Sequence, residues 1–212
     1  YIGNISHLLV PTFPTIHLPN SMVRVYPERE NFTSNRISGL PLIVTSHRGA
    51  SAFNLSPFDG ELENVGGVLN YGYDNEIIKP YYYQVDLDDY GIEVKYAPSH
   101  QAGMYVINFD KQNINSCPHL IFNTRDGEIQ VEGRTISGYQ ELQNNTRVFI
   151  FLQTDIAPVA VGTSVAGGID TTKKLTSGKN AHFVLRFSES DKQIKVRYGV
   201  SFISEEQAKK NL

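Results

Sequence analysis

The chain has 212 residues, of which 40 % are hydrophobic and 19 % charged, with a formal net charge of −3. That suits one large all-β domain or two small ones. Lys and Arg are scattered and form no basic stripe, which argues against nucleic acid or anionic membrane as a partner. No apolar run approaches the roughly 18 residues that a membrane-spanning helix needs.

Residues 1–27 are punctuated by Pro11, Pro14, Pro19 and Pro27. Proline removes a ladder donor, so this segment is expected along the sheet and at one rim, with residues 23–26 as a short strand. Residues 21–56 are loop-rich except for the apolar run 40–44, which suits a buried strand. Ser46-His47-Arg48-Gly49-Ala50 follows it. Residues 59–67 are turn-like. Tyrosines cluster at Tyr71, Tyr73, Tyr81, Tyr82 and Tyr83.

Residues 80–110 organise the rest. Tyr83, Val85 and Leu87 alternate with Gln84, Asp86 and Asp88, the period-two pattern of a sheet with one dry face. Asp88-Asp89-Tyr90-Gly91 supplies a turn. Ile92, Val94 and Tyr96 then alternate with Glu93 and Lys95, and residues 104–109 complete a β-meander. Further on, residues 119–122 and 128–131 read as a hairpin around Arg125-Asp126-Gly127. Residues 135–140, 147–153, 182–187 and 193–201 read as strands, and 155–164 can be another. Residues 162–179, rich in Gly, Thr and Lys, read as a loop or excursion. About a dozen strands at this spacing predict a mostly antiparallel β-sandwich. Ser204 with Gln207 three residues on is a capping-box pattern, with acids early and lysines late, so a short helix is expected over 204–212. We read it as the start of a linker helix.

Candidate chemistry is sparse. The six histidines, His7, His17, His47, His100, His119 and His182, lack zinc-site spacing, and a single cysteine, Cys117, can form neither a cluster nor an internal disulfide. Asp86, Asp88 and Asp89 resemble a calcium-loop fragment without the remaining ligands, so a solvated face and turn is the expectation. No nucleophile elbow or phosphate-binding glycine loop is present. Among the acids, Asp59, Glu61, Glu63 and Glu76 lie in loop-rich sequence where a glycosidase pair could be sought. Tyr71, Tyr73, Tyr81 and Tyr82 could stack on sugar rings, or could pack the core.

The order of several motifs resembles the N-terminal β-domain of glycoside hydrolase family 92, the calcium-dependent exo-α-mannosidases. Ile2-Gly3, Thr12-Phe13-Pro14 and Leu18-Pro19-Asn20-Ser21-Met22-Val23 are similar to the family's opening. Asn75-Glu76, Pro80-Tyr81-Tyr82-Tyr83-Gln84-Val85 and Asp89-Tyr90-Gly91-Ile92 are similar to a second stretch. Tyr198-Gly199-Val200-Ser201-Phe202-Ile203-Ser204, Gln207-Ala208 and Asn211-Leu212 are similar to a third. The resemblance implies a sandwich over 1–203, and over 204–212 the start of a linker helix to an (α/α)6 catalytic domain. It implies a secreted, periplasmic or cell-surface bacterial enzyme that inverts a terminal α-mannoside and uses calcium in the parent enzyme, with none assigned to this chain. The chain would contribute pocket loops, with His7 and Ser46-His47 at matching positions; Arg48 beside them and the ring faces of Tyr71 and Tyr73, candidates from the residues themselves, complete the set expected toward the glycan. No catalytic residue is assigned to it, and alone it would be inactive. Departures fall in the loops: no glycine in residues 4–11, none at Thr15 or Ser21, and only Ser46-His47 kept of the second loop. A non-catalytic carbohydrate-binding or scaffold module is the alternative.

Overall fold

The structure, a computed structural model, describes residues 14–30, 34–45, 51–61, 67–109, 117–165 and 168–212. In chain order the strands are β1 (Ile16–His17), β2 (Arg24–Val25), β3 (Arg36–Ser38), β4 (Leu40–Pro41), β5 (Phe53–Asp59) and β6 (Asn70–Lys79). Then come β7 (Tyr82–Leu87), β8 (Ile92–Pro98), β9 (Ala102–Asn108), β10 (Pro118–Thr124), β11 (Asp126–Glu132) and β12 (Thr135–Glu141). The last are β13 (Arg147–Thr154), β14 (Ala160–Val165), β15 (Gly168–Asp170), β16 (Leu175–Lys179), β17 (His182–Arg186) and β18 (Gln193–Ser201), followed by helix α1 (Glu205–Asn211).

Two sheets face each other. The larger has ten strands in the order β16-β11-β12-β13-β18-β9-β8-β7-β6-β3, and the smaller six in the order β15-β14-β17-β10-β5-β4. β1 and β2 form a separate two-stranded ribbon. Every ladder among the described residues is antiparallel. The fold is the expected all-β sandwich with a short C-terminal helix. The meander is β7-β8-β9, and its inward residues, Tyr83, Val85, Leu87, Ile92, Val94, Tyr96, Tyr105 and Ile107, are all buried. They meet Phe53, Leu55, Leu120, Phe122, Phe183 and Leu185 of the smaller sheet in one core.

β10 is buried along its whole length, as a central strand covered on both faces must be. Its inner face carries Leu120 and Phe122. Its outer face carries Ile121, which packs with Phe58, Val184, Leu69, Tyr90 and Ile169. His119 is on this outer face. Its ring stacks on Phe58 at 4.5 Å, nearly parallel at 6°. Burial pushes the imidazole pKa down to about 4.

Two local readings are corrected. β10 and β11 do not form a hairpin, because β10 pairs with β5 and β17 while β11 pairs with β12 and β16. Asp126 and Gly127 are strand residues, and at Arg125 the chain crosses from one sheet to the other. Glycine at 127 serves a close approach: a Cβ there would sit 2.1 Å from the Tyr139 carbonyl oxygen. The segment 162–179 is likewise not one loop. It holds the end of β14 and all of β15 and β16, two edge strands whose Gly, Thr and Lys content hides their pairing.

The run 40–44 is a strand only over Leu40–Pro41, at the sheet edge where proline is tolerated. At its end, tyrosine hydroxyls hold the backbone. Tyr105 Oη donates to the Pro41 carbonyl at 2.6 Å, and Tyr198 Oη donates to that of Leu42 at 2.6 Å. Tyr96 Oη lies 2.9 Å from Tyr198 Oη. Burial raises all three phenol pKa values, so they remain protonated donors.

In α1, Ser204 Oγ accepts the Gln207 N–H at 3.1 Å, the cap its sequence calls for. Seven residues make a marginal helix alone, so tertiary contact must hold it. It lies on β18, with Ala208 fully buried and Asn211 Nδ2 donating to the Val200 carbonyl at 2.8 Å. A Cβ at Gly199 would come within 2.2 Å of the Ala208 carbonyl oxygen.

Three outcomes follow. Gly199→Ala forces α1 off the sheet. Hydrogen exchange should speed up in 205–211 while β7 to β9 keep their protection; unchanged exchange in α1 refutes the packing argument. Tyr198→Phe leaves the buried Leu42 carbonyl unpaired and should cost about 1–3 kcal/mol, read from the urea midpoint. His119 sets a pH dependence. The unfolded chain, with a histidine pKa of about 6.5, binds the proton first. Its contribution is therefore complete above about pH 6.5 and is lost as pH falls toward about 4, an effect of about 3 kcal/mol. His119→Gln should flatten urea midpoints between pH 7 and 4.5 relative to the native chain.

Candidate functional site: a rim built on buried anchors

One rim of the sandwich gathers segments far apart in sequence. The β1–β2 ribbon turns through residues 18–21, with Asn20 in the left-handed region at φ 56°. Ser21 is not at positive φ, so serine fits where the family resemblance expects glycine. Its hydroxyl oxygen lies 3.0 Å from the Val23, Ser99 and His100 carbonyl oxygens, three alternative acceptors for its one proton. His17 Nε2 lies 3.0 Å from the Ser21 carbonyl oxygen. Alongside, the Val44 N–H donates to the Arg24 carbonyl at 2.8 Å, which fixes residues 42–45 against the ribbon. An open cavity of about 360 Å³ lies here, lined by His17, Ser21, Met22, Arg24, Val44 and Phe202 among others.

Val44 and Ser51 form a bridge that closes the base of segment 46–50. That base is anchored from below by a carboxylate. Glu28 accepts the Ser51 N–H through Oε1 and pairs with Arg125 through Oε2 at 3.1 Å. Arg125 Nε donates to the Ser51 carbonyl at 2.9 Å, and the Arg125 N–H and Thr124 hydroxyl both donate to Gln140 Oε1 at 2.9 Å. Sequence reading missed Glu28, Ser51 and Arg125. Glu28 and Arg125 are 97 residues apart, and Arg125 sat in what read as a hairpin turn.

His7, Ser46, His47 and Arg48 lie outside the described residues, as does Glu63. Tyr71 is fully buried and its hydroxyl donates to the Pro57 carbonyl at 2.8 Å. The expected sugar-stacking face of Tyr71 is therefore inside the core, because β6 turns its ring toward the smaller sheet. Tyr73 is half-buried, with the Arg29 guanidinium 4.7 Å from its ring centroid and its hydroxyl on the Ser34 carbonyl. Tyr81 is exposed on the turn after β6, and Tyr82 bonds Gln84 Oε1 at 2.6 Å. These tyrosines do not converge on the rim cavity.

The acids are also dispersed. Glu76 pairs with Arg29 and accepts the Tyr83 hydroxyl at 3.2 Å. Asp59 accepts the Cys117 N–H. Asp86 accepts Asn75 Nδ2 at 2.7 Å, and Asp89 accepts Arg36 at 2.7 Å and the Gly72 N–H at 3.0 Å. Among the described residues the rim cavity has no acid pair. It offers hydrogen-bonding groups beside Met22, Ile43 and Phe202, which makes a binding wall rather than a proton-transfer pair.

No curated protein matches the chain. Among solved structures, the family GH92 inverting mannosidase BT2199 from Bacteroides thetaiotaomicron VPI-5482 superposes with a TM-score of 0.77 at 17 % identity, over 94 % of this chain and 30 % of that one. The family GH92 alpha-mannosidase BT3965 from the same species gives 0.78 at 17 % identity, over 94 % and 32 %. A bacterial glucoamylase complexed with acarbose gives 0.52 at 10 % identity, over 99 % and 36 %. These likenesses show the fold, and the chain spans about a third of each structure's length. Residues 1–201 match the family described as the glycosyl hydrolase family 92 N-terminal domain, and the chain belongs to that family.

Proposed function

We propose that this chain is the N-terminal part of an α-mannosidase, lending loops to a glycan pocket shared with a following helical catalytic domain. The observation that carries this is the anchored rim. The described flanks of the two segments holding His7 and Ser46-His47-Arg48 come together on either side of β2, through the Ile16–Val25 pairing and the Val44–Arg24 hydrogen bond. Glu28 and Arg125 brace the second segment's base. A scaffold that fixes both loop bases suits residues that must be positioned rather than merely exposed.

On this reading residues 1–203 are the sandwich and 204–212 begin the linker. The parent inverts at a terminal α-mannoside outside the cytoplasm, with its acid and base on the helical domain. His47 and Arg48 would bind sugar hydroxyls, and Tyr73 would contribute ring surface beside them. Calcium is implied by the family resemblance, but the described residues do not fit it. They include no group of three or more His, Cys, Asp or Glu side chains able to hold a metal ion, so no step is assigned to calcium on this chain. A carbohydrate-binding or scaffold module is the competing outcome of the test.

The full-length parent should hydrolyse an aryl α-mannoside, and the 212-residue chain alone should not. In the parent, Arg48→Ala and His47→Ala should each lower kcat/KM roughly tenfold to a hundredfold, as loss of one charge-assisted hydrogen bond would. Turnover by the isolated chain defeats the division of labour. Unaltered kcat/KM in both variants, with glycan binding by the chain alone, favours the binding module.

A further inference from the structure

A second, smaller cavity of about 190 Å³ lies on the outer face of the smaller sheet and shares no lining residue with the rim. Cys117, His119, Glu61 and Arg186 line it. His119 is only 1 % exposed, and its two nitrogens have different surroundings. Nδ1 is 2.6 Å from the Cys117 carbonyl oxygen, so it carries the proton and donates. Nε2 therefore holds the lone pair. Its neighbour is Cys117 Sγ at 4.0 Å, too far for a strong hydrogen bond, and no other partner for Nε2 stands among the described residues. The Phe58 ring stacked at 4.5 Å keeps the imidazole in this plane.

Metal-bound histidines are oriented the same way, with the second ring N–H given to a carbonyl oxygen. A metal–thiolate bond of about 2.3 Å and a metal–imidazole bond of about 2.0 Å span about 4.3 Å when collinear. A sulfur-to-nitrogen separation of 4.0 Å therefore leaves a bent seat between the two donors, with a sulfur–metal–nitrogen angle of roughly 140°. We propose that Cys117 and His119 form a two-donor site for a soft monovalent metal ion of the Cu+ class. Thiolate and imidazole favour soft ions, and although Glu61 lines the cavity, no group of three metal-holding side chains stands among the described residues, which disfavours the tetrahedral demand of zinc. On binding, Cys117 Sγ releases its proton to solvent and forms the metal–sulfur bond, while Nε2 donates its lone pair. No electrons are transferred. Burial holds the thiol pKa up, and the Arg186 guanidinium opposes that by favouring the thiolate. The site is independent of the mannosidase reading.

The test is an anaerobic titration of the 212-residue chain with Cu+ held in a chromogenic chelator. One equivalent should transfer. Cys117→Ser should abolish transfer and His119→Gln should weaken it at least about tenfold. X-ray absorption of the native complex should show one sulfur and one nitrogen neighbour, which decides the matter even if His119→Gln does not fold. No transfer to the native chain overturns the proposal, and so does copper bound through sulfur without nitrogen.

Discussion

Three phenol hydroxyls in the middle of an apolar core hold this sandwich together at the end that matters. Tyr96, Tyr105 and Tyr198 belong to three adjacent strands of the larger sheet, and two of them reach across to the carbonyls of Pro41 and Leu42. Residues 42–44 run on from β4 with backbone partners at Phe53, Ala52 and Arg24, and Tyr198 supplies the partner that the buried Leu42 carbonyl would otherwise lack. The tyrosines complete the pairing of this stretch, which leads straight to the base of the 46–50 segment. Gly103 belongs to the same arrangement: a Cβ there would meet the Tyr96 and Tyr198 oxygens at 2.7 Å.

The polar bracing at Glu28 and Arg125 is of another kind. Arg125 is half exposed, so its charge pairing contributes little stability by itself. Its value is geometric. One guanidinium touches both Glu28 and the Ser51 carbonyl, while its backbone N–H is held by Gln140 of the opposite sheet. The rim's loop base is thereby referenced to both layers. Tight packing below and fixed polar contacts above are what a surface loop needs to present side chains in one arrangement.

Much of the fold was legible. The β7-β8-β9 meander, β12, β13 and β18 announce themselves because each has one dry and one wet face, so period-two alternation survives in the residues. The cap at Ser204 is equally local. Failures occur where pairing is decided at a distance. Asp126-Gly127 has turn composition, yet its partners are Lys179 and Gln140, and the glycine answers to crowding by Tyr139. β15 and β16 are polar edge strands that exist because β14 and β11 offer them hydrogen bonds. The site was less legible still. Tyr71 and Tyr73 stand two apart on β6 and both turn toward the core, but only Tyr71 is fully buried, and a spacing of two cannot tell how deep each ring sits. Glu28, Ser51 and Arg125 have no spacing that could betray them.

The middle of the ten-stranded sheet joins β9 to β18, pairing Gly103 with Tyr198 and Asn108 with Gln193. The ladder on one side comes from the first half of the chain and that on the other from the second, and β18 must slot between β9 and β13. A ribosome has to deliver nearly the whole domain before that seam can close. Until then β9 waits as a bare edge with inward-facing Tyr105 and Ile107 uncovered, a nascent species open to mispairing and to chaperone capture, and one whose completion long-range closure makes slow.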